Sequence, residues 1–169
     1  MTGAAKAEFL PGWWRMIPVN TTDIRRKARM IALQCLFATD IKGTWDDSSL
    51  EWLIGEEPVP DGAAKFAKTL LGGVIDHCPE LDSVIQRYAP AWPVKQLSLV
   101  DRNILRIALF ELHYNPATPK KTAVNEAVEL AKVFGSESSP RFVNGVLGSV
   151  MAGPELAEMA ASELAPEGR

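Results

Sequence analysis

The sequence is poor in the residues that build metal centres, disulfide frameworks and membrane spans. It has only two cysteines and two histidines, and Cys35 and Cys78 are too few and too far apart for a disulfide framework or a zinc site. A run of ~18 apolar residues, as a transmembrane helix needs, does not occur. The first twenty residues lack the continuous apolar core of a secretory signal. We therefore expect a cytoplasmic protein without a membrane association, a metal or a cofactor.

Motifs for catalysis are missing as well. No serine or cysteine stands in a recognisable nucleophile setting, and the close carboxylate pairs fall in predicted loops or on solvent-facing sides of helices. The Gly72-Gly73 pair lies inside a helical stretch rather than between a strand and a helix, so it does not indicate a phosphate-binding loop. These absences favour a binding protein over an enzyme.

Positive charge is concentrated near the start of a mildly acidic chain. The net charge is −3, yet residues 1–36 contain six basic and two acidic residues, a local charge of +4. A basic block on an acidic body is typical of a limited contact with a polyanion. An ordinary solvated face gives the same count, so charge alone leaves both interpretations open.

The apolar residues recur with a helical period nearly everywhere, and no alternating strand pattern occurs. This pattern predicts an all-α domain of packed helical hairpins with about seven helices. The last core helix is predicted to open at Ser139-Pro140, and Gly135 is predicted to end the helix before it. The other predicted helices begin near residue 22, cover residues 46–54, 61–78, 81–88, 97–112 and 120–134, and are separated by short loops. Pro79 is predicted to end the helix at 61–78, and Pro93 suits the first position of a helix.

The helix predicted at 97–112 is apolar around most of its circumference, so we expect it in the middle of the bundle. It keeps only a narrow polar edge, which consists of Asp101, Arg102, Asn103, Arg106 and Glu111.

The first helix is predicted to have a polar beginning and an apolar end. Thr21 or Thr22 can cap it, and an inner stripe follows at spacings of three and four residues. Three arginines fall together on another face, so we expect the first half of the helix to meet solvent and the second half to enter a core. The inner stripe consists of Ile24, Ala28, Ile31 and Cys35, and the arginines are Arg25, Arg26 and Arg29.

Three distinctive segments follow one another along the chain: the opening segment IRRKARMIALQCLFATD, the central segment LVDRNILRIALFEL, and the stretch KTAVNEAVELAKVFGSESSPRFVNGVLGSV from Lys121 onward. Together these ordered motifs resemble the NusB family of bacterial transcription antitermination factors. The resemblance covers residues 22–151, and the third motif is the most specific. It implies a bundle of about seven helices in two packed helical subdomains, without enzymatic activity.

The resemblance also implies a function and partners. Members of this family bind boxA, a short single-stranded element in the leader transcripts of ribosomal RNA operons. They do so together with NusE, a ribosomal protein, within the RNA polymerase antitermination complex, and they support ribosomal RNA maturation.

Nine residues match positions that face RNA in the family. The basic ones have a clear physical role, because they neutralise phosphates and release counterions. Two alternatives stay open: Phe37 either stacks on a base or packs in the core, and Asp101 either accepts a hydrogen bond from a base or is an ordinary surface charge. Ser138 replaces the usual acidic residue of the family. The nine are Arg25, Arg26, Lys27, Arg29, Phe37, Asp101, Ser138, Arg141 and Phe142.

The sequence also predicts domain limits, and two other functions compete with antitermination. We expect a flexible extension at residues 1–20, a NusB-like domain at 21–152 and a flexible acidic tail at 153–169. A NusB-like domain also precedes some ribosomal RNA methyltransferases, but the chain after residue 151 leaves no room for that enzyme. A homodimeric helical scaffold with an occluded basic face stays open as the alternative function.

Overall fold

The computed structural model describes residues 23–45, 48–56, 59–154 and 156. These residues form seven α-helices and no strand, so the all-α prediction is confirmed. Contacts divide the chain into two units, the first ending at Asp76 and the second beginning at His77. The predicted extension at 1–20, and the predicted tail beyond residue 156, lie outside the described residues. The helices are α1 Ile24–Lys42, α2 Ser48–Glu56, α3 Asp61–Asp76, α4 Cys78–Tyr88, α5 Leu99–Tyr114, α6 Lys120–Phe134 and α7 Ser139–Ala152.

The first unit is built around α1, which packs mainly against α3 and also against α2. Three members of the predicted inner stripe are buried, but Ile24 is 45% exposed, so the stripe begins one turn later than expected. Burial raises the pKa of the Cys35 thiol to about 12, which keeps it protonated as a small apolar side chain. At the other end, Gly43 adopts a left-handed φ of 77° and closes the helix.

The second unit surrounds α5, whose residues from Asn103 to His113 are all buried. α4, α6 and α7 pack on it, as expected for a helix that is apolar around most of its circumference. Two predicted boundaries were wrong. Pro79 lies in the first turn of α4 rather than ending α3, because a first-turn proline loses no helical hydrogen bond. Pro93 precedes a 3₁₀ turn at Val94–Gln96, and α5 starts later, after the cap Ser98.

Gly135 ends α6, as predicted, but for a different physical reason. Its φ of −89° is open to any residue, so a left-handed conformation does not explain the glycine. A Cβ atom at this position would instead collide with the Cβ of Ser139 and lie 2.7 Å from the carbonyl oxygen of Ala131. The absence of a side chain therefore permits the tight turn from α6 into α7.

Two residues of the predicted polar edge of α5, Asn103 and Arg106, belong to a buried network. The Arg106 guanidinium donates from Nε and Nη2 to the two carboxylate oxygens of Asp82 on α4, at 2.7 and 2.8 Å. Its Nη1 donates to Oδ1 of Asn103 at 3.0 Å, and Asn103 donates to the carbonyl of Leu99 at 2.9 Å. This network ties α4 to α5 with the directional geometry of a two-pronged charge pair.

His113, near the end of α5, predicts a pH dependence of stability. Its side chain is 6% exposed, and Nε2 has no hydrogen-bond partner among the described residues. Burial, and secondly the Lys120 ammonium, lower the pKa of His113 below its ordinary 6.5. Because the unfolded chain then binds the proton more readily than the folded one, stability is expected to fall as pH drops through 6.5. Urea unfolding between pH 7.5 and 5 measures this loss of stability, and the loss should be smaller in His113→Gln. If the free energy of unfolding of His113→Gln falls with pH as steeply as that of wild type, other groups cause the loss.

None of the described helices combines the length and the hydropathy that crossing a bilayer requires.

Candidate nucleic-acid interface

The first turn of α1 places two guanidinium groups at the surface. Asp23, rather than Thr21 or Thr22, caps this helix, and its carboxylate accepts the backbone N–H groups of Arg25 and Arg26 at 3.0 and 3.1 Å. The two threonines lie outside the described residues. Arg25 is exposed and Arg26 is half-buried, and the first turn contains no acidic residue. Positive side chains here oppose the helix dipole, so their position is costly for the helix alone.

Lys27 and Arg29 do not share this exposure. Their exposed fractions are 8% and 2%, so the expectation that the first half of α1 meets solvent is wrong for both. The physical reason is packing: α3 lies against α1, its Phe66 ring contacts Arg29, and every residue of α1 from Lys27 to Leu36 is buried. Long basic side chains can bury their alkyl stems along such an apolar surface.

An aromatic ring from α3 lies against both Arg25 and Arg29, which are one turn apart on α1. The Arg25 Cζ atom lies 5.4 Å from the centroid of the Phe66 ring, and the Arg29 Cζ atom lies 5.5 Å from it. Both distances are within the range of cation–π attraction. Phe66 itself is half-buried, so part of its surface stays accessible.

Phe37, near the end of the same helix, is half-buried. Its ring is therefore neither fully in the core nor freely displayed. Both interpretations, base stacking and core packing, still apply to different parts of its surface.

In the second unit, the start of α7 presents a cluster of hydroxyl groups beside a basic residue. Ser139 is buried, and its Oγ accepts the backbone N–H of Ser136 at 2.9 Å. Ser138 is exposed, with its hydroxyl 3.3 Å from that of Ser136. Arg141 is exposed and Phe142 is half-buried. The turn thus presents one guanidinium and one partly accessible ring, and its carboxylate is that of the exposed Glu137 beside Ser138.

Asp101 lies in the first turn of α5, where the Ser98 hydroxyl accepts its backbone N–H at 3.1 Å. One of its carboxylate oxygens, Oδ1, is buried and has no hydrogen-bond partner within the described part of the chain. A carboxylate near a helix N-terminus is favoured by the dipole. An unsatisfied buried acceptor is costly, but an oxygen without solvent exposure does not meet a ligand in this structure. Both interpretations of Asp101, a hydrogen bond to a base and an ordinary surface charge, therefore stay predictions.

The nine predicted residues therefore belong to two sets, one on α1 in the first unit and one at the starts of α5 and α7 in the second. Phe66 could not be predicted as part of the site, because a single sequence contains no signal that links a residue of α3 to arginines some forty positions earlier. In the described ranges, no group of three or more His, Cys, Asp or Glu side chains is arranged to hold a metal ion. The available chemistry is that of charge, hydrogen bonding and stacking.

Comparison with known proteins identifies the family. The model of the NusB family matches residues 26–152, which includes α1 from Arg26 and every later helix. The chain belongs to the NusB family. A relative within it, the transcription antitermination protein NusB of Dehalococcoides mccartyi, is 48% identical over 129 residues, spanning 76% of this chain and 90% of that protein. The NusB protein of Chloroflexus aggregans is 47% identical over 147 residues, spanning 86% and 97%.

Solved structures of NusB proteins have the same fold. NusB of T. maritima is 31% identical with a TM-score of 0.68, covering 79% of this chain and 96% of that one. A structure of the antitermination factors NusB and NusE in complex with double-stranded RNA gives 26% identity and a TM-score of 0.69, covering 78% and 98%. The all-helical architecture expected from the NusB resemblance is thus confirmed.

Proposed function

We propose that this protein is a transcription antitermination factor that binds the boxA element of nascent ribosomal RNA leader transcripts. In this proposal it acts together with the ribosomal protein NusE, in the cytoplasm, as part of the RNA polymerase antitermination complex, and it supports ribosomal RNA maturation. The main support for the proposal is that residues 26–152 match the NusB family. Relatives named as transcription antitermination proteins support it, as does the similar NusB–NusE structure that contains RNA.

The surface chemistry of α1 and of the start of α7 fits an RNA ligand. Arg25, Arg26 and Arg141 expose or partly expose guanidinium groups, which pair with phosphate oxygens in a two-pronged geometry. Phe37 and Phe142 keep part of their rings accessible, and stacking on a base contributes ~1–3 kcal/mol. Guanidinium groups bind phosphates of paired and unpaired RNA alike, but only an unpaired base can stack on such a ring, so the rings favour an unpaired transcript.

Titration of a boxA-type oligonucleotide against a scrambled one, with and without NusE, tests the proposal. If about three phosphates are neutralised on a single strand, log affinity is expected to fall with log salt at a slope of about −2. A fourfold rise in salt concentration should then weaken binding roughly twentyfold. Equal affinity for both oligonucleotides, or a flat response to salt, would contradict the proposal.

The scaffold alternative predicts a different result in the same samples. Size-exclusion chromatography with light scattering, with and without the boxA oligonucleotide, reports the mass of the species formed. A stable dimer that takes up no RNA would favour the scaffold. A complex of one protein with one RNA favours the antitermination factor.

Ser138 is expected to make RNA binding stronger than a family-typical acidic residue would. The Ser138→Asp variant adds a negative charge near the ligand and should weaken boxA binding about two- to fivefold at low salt, or ~0.5–1 kcal/mol. Its stability should not fall, because Ser138 makes no capping hydrogen bond and a carboxylate at this N-cap position is favourable.

A matched control adds the same charge further along α7. Ser149→Asp places it about 16 Å away along the helix, beyond a Debye length at 0.1 M salt, so affinity should stay at the wild-type value. If Ser138→Asp binds boxA as tightly as wild type or more tightly, the electrostatic explanation for this position is refuted.

A further inference from the structure

We infer that Phe66 is a positioning residue for RNA binding: its ring holds the Arg25 guanidinium in the orientation that meets a phosphate, with Arg29 as a buried anchor beneath it. The inference rests on the proposed function. Phe66 lies outside every motif that carries the family resemblance, and its role follows from contacts within the first unit.

The contacts place one ring against two guanidinium groups. Arg25 and Arg29 are four residues apart, so they lie one above the other on the same side of α1. Their Cζ atoms lie 5.4 and 5.5 Å from the ring centroid of Phe66. Only Arg25 is exposed, whereas Arg29 is 2% exposed. The ring thus joins a solvent-facing cation to a buried one.

Two like charges at this spacing repel each other, and both oppose the dipole of the helix start. The electron-rich face of an aromatic ring attracts cations, so Phe66 offsets part of this repulsion without adding a negative charge. A carboxylate would neutralise Arg25 in an ion pair and make it less available to phosphate. A ring holds the guanidinium in place and leaves its N–H donors free of a competing charge.

Phe66 is itself held firmly by the packing of α3 on α1. Two residues on the same side of α3, Ala63 three residues before it and Leu70 four residues after it, are 0% exposed. A Cβ on Gly62 would lie 3.4 Å from Cγ2 of Ile24, so the two helix starts approach closely here. A flexible arginine normally loses rotamer freedom when it binds a ligand. A ring fixed by this packing reduces that loss before RNA arrives.

The first experiment measures the orientation of Arg25 without RNA. The side-chain proton resonances of Arg25 should show the upfield shift that an aromatic ring current produces, and Phe66→Leu should abolish it. Phe66→Trp, which retains a π face, should keep it. An Arg25 resonance that is unchanged by Phe66→Leu would overturn the inference, whatever the RNA ligand is.

The second experiment measures binding of the boxA-type oligonucleotide to the full chain. Phe66→Leu should weaken binding about two- to fivefold, the contribution of a partly exposed cation–ring contact, and Phe66→Trp should restore it. The salt dependence should be unchanged in Phe66→Leu, since no charge is removed, whereas Arg25→Ala should reduce the slope by about one. Thermal unfolding of each variant checks that the fold persists.

A control and a double variant separate positioning from other roles. Phe110→Leu makes the same substitution in the second unit and should leave RNA affinity unchanged. In an Arg25→Ala background, Phe66→Leu should have no further effect on affinity. If Phe66→Leu weakens RNA binding in that background as much as it does in wild type, the ring contacts RNA directly, and the positioning role is overturned. If wild type binds neither boxA nor the scrambled oligonucleotide, the proposed function fails, and the ring-current experiment still decides whether Phe66 orients Arg25.

Discussion

Asp82→Ala is expected to lower the free energy of unfolding by about 3 kcal/mol, near the low end of the range for breaking a buried ion pair. The reason is that the substitution leaves the Arg106 guanidinium, with its side chain 9% exposed, without the carboxylate that accepts two of its hydrogen bonds. The Asp82 side chain is 30% exposed, which keeps the loss from being larger. For a chain of this size the melting temperature should fall by roughly 6–12 °C, as differential scanning calorimetry can measure.

A second ion pair, with nearly the same N–O distance but far more exposed side chains, serves as a matched control. Lys132 and Glu129 form an ion pair at 2.9 Å whose side chains are 56% and 44% exposed, against 2.7 Å for the buried pair. Lys132→Ala should change stability by less than ~0.5 kcal/mol. Equal losses for Asp82→Ala and Lys132→Ala would show that burial is not what makes the Asp82 pair important.

A double variant tests whether the charge or the packing matters at this position. Asp82→Leu combined with Arg106→Met removes both charges and keeps most of the volume, so stability should recover by more than half relative to Asp82→Ala. A double variant that is less stable than Asp82→Ala would mean that the hydrogen bond from Arg106 to Asn103 contributes more than the ion pair does.

The same network shows where sequence-based prediction of the fold ends. Helical periodicity correctly placed a mostly apolar helix at the centre of the second unit, because periodicity depends only on local spacing. It assigned Asn103, Arg106 and Glu111 to a polar edge, yet all three are buried. Whether a polar residue is buried depends on a partner outside its own helix, such as Asp82 on α4 or Thr118 in the loop before α6, whose hydroxyl donates to Glu111 at 3.0 Å. Spacing within one helix contains no information about that partner.

The candidate site shows a similar division between local and long-range information. The position of the basic cluster at the start of α1 could be predicted from composition and capping, which are local. The exposure of its members could not, because Lys27 and Arg29 are buried by packing on other elements and Phe66 comes from α3. The resemblance to NusB proteins identified residues by position in a motif, which does not distinguish a residue that faces a ligand from one that lies beneath it.

Alanine substitutions at Arg25 and Arg29 are therefore expected to have opposite effects, a loss of RNA affinity at Arg25 and a loss of stability at Arg29. The double variant Arg25→Ala/Arg26→Ala should weaken boxA binding about tenfold to a hundredfold, since each charged hydrogen-bond donor contributes ~1.5–3 kcal/mol before screening. Its stability should be unchanged or slightly higher, because alanine is the better helix former and two cations leave the positive end of the dipole. Filter binding and urea unfolding measure the two effects separately.

Arg29→Ala should instead lower the free energy of unfolding by about 2–3 kcal/mol, because it removes a buried stem and a desolvated contact with the Phe66 ring. Its salt slope for RNA binding should match that of wild type, since a side chain 2% exposed releases no phosphate counterion. As a control for total charge, Lys95→Ala/Lys132→Ala removes two exposed cations and should change neither property appreciably. If Arg29→Ala were fully stable and lost affinity together with salt dependence, Arg29 would have to swing out to meet RNA, and the division between an exposed contact and a buried anchor would be wrong.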